Sequence, residues 1–124
     1  MRLPLTVLLI ALTVGCHSVA APVPGSANAF DSTSYLTLVT TDSVIESTKT
    51  DLANNSFPMA IAGNVKTALN ALINAYDLAQ QAYLAYHTAA LAGTSTPTQQ
   101  TAVTNALTSV QTATTALTAA KGGA

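Results

Sequence analysis

Charge is scarce in this chain. Charged residues make up 7% of the 124, four basic against five acidic. No basic patch exists, so the electrostatic attraction that dominates nucleic-acid affinity is missing. No nucleic acid is expected as a partner. Tryptophan is absent, and Cys16 is the one cysteine, which excludes an internal disulfide. Long hydrophobic runs are absent too. Only Met1 to Val14 is continuously apolar enough to suggest a membrane segment, and a stable span needs about 20 residues. There is no Gly-rich phosphate loop, no G-x-S-x-G and no metal-ligand spacing, so no cofactor is expected and the chain does not read as an enzyme. Many hydroxyls are present, but a hydroxyl nucleophile needs a base and a third, orienting group. What remains is 49% apolar, chiefly Ala and Leu mixed with Thr, Ser, Asn and Gln. The length allows one small domain, with a surface wetted by hydroxyls and amides.

Residues 1–15 read "MRLPLTVLLIALTVG". Arg2 supplies a minimal positive start, Leu3 to Val14 an apolar stretch, and small residues follow. This is the pattern of a secretory signal peptide, which is expected to take no part in the fold. Without Arg2, three lysines (Lys49, Lys66 and Lys121) face five carboxylates (Asp31, Asp42, Glu46, Asp51 and Asp77). The leader ends in "TVGC". Val14 and Gly15 fit the two positions before Cys16, and Thr13 stands where Leu is usual. This resembles the lipobox of bacterial lipoproteins, over the first sixteen residues only. The resemblance implies that Cys16 becomes the first residue of the mature chain and carries three lipid chains. Several chains anchor stably where one anchors only reversibly. It implies export, a membrane partner through Cys16, and a place in the cell envelope on its periplasmic or surface face. His17, rather than Asp, follows the cysteine, which in diderm bacteria implies the outer membrane. The competing processing site is "SVA", Ser18 to Ala20, with cleavage before Ala21 and loss of Cys16. A c-type haem site needs C-x-x-C-H, and in "TVGCH" Thr13 stands where the first Cys belongs.

Residues 16–30 follow as a linker. Pro22, Pro24 and Gly25 block regular structure, and small residues fill the gaps. This reads as a flexible tether. Residues 31–124 form the helical domain.

The strongest periodicity lies between Pro58 and Gly93. Val65, Leu69, Leu72, Tyr76, Ala79, Tyr83, Tyr86 and Ala90 are spaced alternately by four and three, an apolar seam of heptad period. A helix over 58–92 is expected, about 50 Å long at a rise of 1.5 Å per residue, with Pro58 in the first turn after a Ser56 or Phe57 cap and Gly93 just past the end. The next helix, 97–121, opens with a capping box: Thr96 at the cap, Pro97 at N1 and Gln99 at N3. Val103, Leu107 or Ala106, Val110, Ala113 or Thr114, and Leu117 form its seam. The short "GTST" connection makes these two helices an antiparallel hairpin. The first segment, 32–53, carries Tyr35, Leu38, Ile45 and Leu52 on one face with Val39 and Val44 beside it, capped by Asp31 or Ser32. "SYLTLVTT" also alternates like a strand, but no other segment would pair with it. The fold class is all-α, a small up-down-up three-helix bundle. Its thin, Ala-rich core leaves self-association open.

Tyr76, Tyr83, Tyr86 and His87 cluster on the middle helix. They read either as a ligand or partner patch or as packing, with phenols at the bundle edge; three of them lie on the seam, which favours packing. His87 has no metal-ligand partner at helical spacing, so no metal is expected. Asp42 and Glu46, four apart and followed by Lys49, read as a solvated face. Thr101, Thr104, Thr108, Thr112 and Thr115 line one face of the last helix. In composition alone this resembles Thr/Ala-rich helical ice-binding proteins, and Val103 and Val110 interrupt the regular Ala faces of that group. A Thr-based polar surface on an exported, low-charge protein is the simpler account.

These features predict a small lipid-anchored helical protein of the cell envelope with a structural or protein-interaction role, through a protein partner or a second copy. The next alternatives are a phage- or prophage-type envelope lysis or exclusion lipoprotein, and a soluble exported binding module.

Overall fold

A computed structural model describes residues 25–122. It contains three helices: α1 (Ala29–Ala53), α2 (Met59–Leu91) and α3 (Pro97–Ala120). The described residues form an all-α, up-down-up three-helix bundle. The leader and Cys16 lie outside the described residues.

α1 starts at Ala29, so the last two residues of the expected linker are helical. Its cap is Asn28, not Asp31 or Ser32. The Asn28 side chain accepts the Asp31 N–H at 2.8 Å, satisfying one of the free donors of the first turn. "SYLTLVTT" is helical throughout. Its hydroxyls ease that outcome, because Thr37 and Thr41 donate to the carbonyls four residues earlier. Thr48 does the same in the second half. A Thr that bonds its own backbone can be buried without another partner, and Thr41 and Thr48 are buried. That rotates the inner face away from the expected one. Leu38 and Ile45 are inside with Ser34, Thr41 and Thr48, whereas Tyr35 and Val39 are exposed.

The turn into α2 is set by Asn55, at a left-handed φ of 54° that Asn tolerates. The Ser56 N–H reaches Asp51 O and the Asn55 N–H reaches Leu52 O, the Schellman pattern. Pro58 is itself the N-cap of α2, extended and without a side-chain cap bond. α2 ends at Leu91, and the chain turns away at Gly93 (φ 72°) with the same pattern, Thr94 N–H to Ala89 O and Gly93 N–H to Ala90 O. The α3 capping box is present in both directions: Gln99 N–H to Thr96 Oγ1 at 3.1 Å, and Thr96 N–H to Gln99 Oε1 at 3.0 Å.

The seams close the interior. Val65, Leu69, Leu72, Ala79, Tyr83 and Tyr86 of α2 are buried, as are Val103, Val110 and Leu117 of α3. α2 is the centre of the assembly: α3 packs chiefly on it, α1 packs on it, and α1 and α3 touch little. At one end the start of α1 lies beside the end of α2, because Asp31 contacts His87. At the other, Lys121 feels the charge of Asp51. The incoming chain therefore joins the bundle at the end that carries the α2–α3 turn.

Candidate functional site

The densest polar cluster sits at that end. Asp31 occupies the third position of α1, where a carboxylate suits the helix dipole, and it is fully buried. Its Oδ2 accepts the Ala27 N–H at 2.7 Å. His87 of α2 places Nδ1 2.7 Å from Oδ2 and 3.0 Å from Oδ1. A carboxylate only accepts, so the proton of this contact belongs to Nδ1. Tyr83, one turn before His87, places its hydroxyl 3.4 Å from Nδ1, but the single proton there is already committed to the carboxylate. Two N–H donors thus converge on one buried acceptor, as burial of a carboxylate requires.

Aromatic rings enclose the pair. Tyr83 stacks on His87 with centroids 5.4 Å apart and leans against Tyr35 at 6.3 Å. Phe30 meets Tyr86 edge to face at 5.1 Å, and Tyr86 Oη accepts the Asn28 side-chain N–H at 2.9 Å. Residues 27–31 are therefore clasped to α2 through both Tyr86 and His87. Burial raises the Tyr83 phenol far above its ordinary value of 10.0, and the nearby Asp31 carboxylate raises it further.

The structure brings Tyr83, Tyr86 and His87 together and sets Tyr76 apart. Tyr83 and Tyr86 are buried, so their mass is spent on packing. Tyr76 is half-buried; desolvation raises its phenol, and Asp42 and Asp77 raise it further. Of the four, His87 keeps a solvent-facing edge at this end, its side chain 25% exposed. The sequence pattern makes Asp31 a cap and leaves His87 without a partner at helical spacing. Their pairing spans 56 residues of sequence and is invisible to helical spacing. The signal available was topological: in an antiparallel pair the first turn of α1 must face the last turns of α2.

An aspartate that fixes the tautomer of a histidine is two-thirds of a hydrolytic triad. Among the described residues no hydroxyl hydrogen-bonds Nε2, and no group of three metal-ligating side chains occurs. The acidic run of α1 is solvated, with Lys49 on Glu46 at 3.2 Å, both side chains at least half exposed. No family model, no curated protein and no solved structure matches the chain.

Proposed function

We propose that this protein is a small lipid-anchored component of the cell envelope, exported and held at a membrane through Cys16, whose helical body acts by non-catalytic contact. The observation that carries this is the junction "LTVGC", an apolar leader that ends directly on the chain's single cysteine. Two features of the bundle support it. Residues 27–31 are fastened to α2 by Asn28–Tyr86 and Asp31–His87, so a pull along the tether is taken up at a fixed point. The tyrosine–histidine cluster is built into that fastening, which gives it a structural task. The contact made by the body is with a protein partner or a second copy.

Metabolic labelling with a fatty acid tests the anchor. The wild-type chain should take up label and the Cys16→Ala variant should not. A wild-type chain that matures without label overturns the anchor and leaves a soluble exported module that begins at Ala21.

A further inference from the structure

The two halves of the bundle differ in what they expose. Six of the seven exposed large apolar side chains lie in the half next to the tether: Tyr35, Leu36 and Val39 on α1, and Leu78, Leu84 and Leu91 on α2. Only Met59 lies in the other half. Charge runs the opposite way. Asp42, Glu46, Lys49, Asp51, Lys66 and Lys121 all belong to the far half, and the exposed Asp77, next to Leu78 and just past the middle of α2, marks the boundary between the two. From Leu78 through the α2–α3 turn to Thr108, and from Ala27 to Thr41, the charged or titratable groups other than tyrosine are Asp31, which is fully buried, and His87.

We propose that this uncharged, apolar-studded half is a membrane-seating surface that rests among the headgroups of a lipid bilayer while the charged half stays in water. The seat depends on the lipid-anchor reading only for how the protein arrives at the bilayer. Three observations select a bilayer over a second copy of the chain. First, the exposed apolar residues spread over several sides of α1 and α2 instead of forming one stripe. Leu84 and Leu91, seven apart, share a side of α2, whereas Leu78, six before Leu84, points elsewhere, and Leu36 lies a further turn of 100° round α1 from Tyr35. A helix-to-helix contact needs a single seam, while a body laid against a bilayer needs a broader apolar face. Second, the segregation follows the bundle axis, and an exposed tyrosine among aliphatic side chains is the composition of a membrane–water interface. Third, the tether enters at this end. From Cys16 to Gly25 the chain reaches at most about 30 Å, against about 50 Å for the length of α2, so an anchor at Cys16 keeps the near end at the surface.

The seat is tilted. α3 exposes Thr101, Thr104 and Thr108 in the same half, so α1 and α2 face the lipid and α3 faces away. No described helix is long and apolar enough to cross a membrane, which accords with seating on the bilayer. With no exposed lysine in the seat, attachment uses apolar burial and is insensitive to salt, unlike polybasic surfaces.

The chain lacks tryptophan, so single probes report depth cleanly. Full-length chains carrying Leu84→Trp or Met59→Trp are produced with their leader, purified in mature form and mixed with vesicles of acyl-brominated phosphatidylcholine. The Trp at 84 should shift to the blue and be quenched by bromine, at low and high salt alike, and the Trp at 59 should do neither. Leu78→Ser together with Leu91→Ser, both at exposed positions, should weaken vesicle partitioning of the Leu84→Trp chain by about tenfold. Equal quenching at both probes, quenching at neither, or a blue shift at 84 that grows with protein concentration without lipid overturns the seat. The failures are separable. A chain that carries lipid but leaves the Trp at 84 in water keeps the anchor and loses the seat. A chain without lipid whose Trp at 84 is quenched by added vesicles does the reverse.

Discussion

At the end where the chain enters the bundle, one buried carboxylate collects an N–H from Ala27 and an N–H from His87, with the Tyr83 hydroxyl packed beside them. At the opposite end, the Asp51 carboxylate keeps Oδ2 buried with no partner among the described residues. The nearby Lys121 amine is pushed below its ordinary value by desolvation, although Asp51 pulls it back up. The first end is a satisfied network that ties two helices together. The second is a loose pair. Fully satisfied buried networks rigidify, and partly satisfied ones contribute little. The bundle is therefore fastened where the chain enters it and looser where its charges lie.

The sharpest way to break this contrast is His87→Ala. It leaves the Asp31 carboxylate buried without its α2 imidazole, and losing a hydrogen bond to a buried charged group costs about 1.5–3 kcal/mol. In a domain of this size each kcal/mol is worth about 4–8 °C, so the midpoint of thermal unfolding followed by circular dichroism should fall by about 10 °C. Lys121→Met at the far end removes a charge whose burial is already unfavourable, and its melting temperature should move by only a few degrees.

Alkaline pH separates the ends in a second way. The folded Tyr83 phenol holds its proton more tightly than the unfolded one, so its contribution is complete below pH 10, the unfolded value, and is lost as pH rises beyond it. The slope from this one group approaches about 1.4 kcal/mol per pH unit. Tyr76 acts in the same direction. Lys121 acts oppositely, because its folded form releases its proton first, and stability rises with pH up to its unfolded value of 10.5. Chemical denaturation between pH 9 and 12 should show a net loss above pH 10, and Tyr83→Phe should flatten most of it.

Smaller effects sharpen the picture. Thr96→Ala removes one arm of the α3 capping box and should cost about 1 kcal/mol, measured by urea denaturation. Glu46→Gln breaks the exposed contact with Lys49 and should change stability by less than about 0.5 kcal/mol.

What could be foreseen follows from the range of the interactions involved. The α2 seam depends on a local period, and Val65 through Tyr86 proved buried except for Tyr76. The α3 cap depends on four consecutive residues and matched in both bonds. Tyr35 and Val39 were expected beside the core and lie outside, because Ser34, Thr41 and Thr48 occupy that face by bonding their own helix or packing as small groups. A hydropathy pattern scores such hydroxyls as polar. Asp31–His87 needs the register between two helices, which no single-helix pattern contains. The axial separation of charge from exposed apolar surface is likewise a property of the assembled bundle, since along the chain the two sets alternate as the helices run up and down.

The claim on which the account turns is that the mature chain begins at Cys16. Intact-mass spectrometry of the purified mature protein tests it directly. The predicted result is an N-terminal Cys16 bearing three acyl chains. A mature chain that begins at Ala21, with no lipid mass, would contradict it.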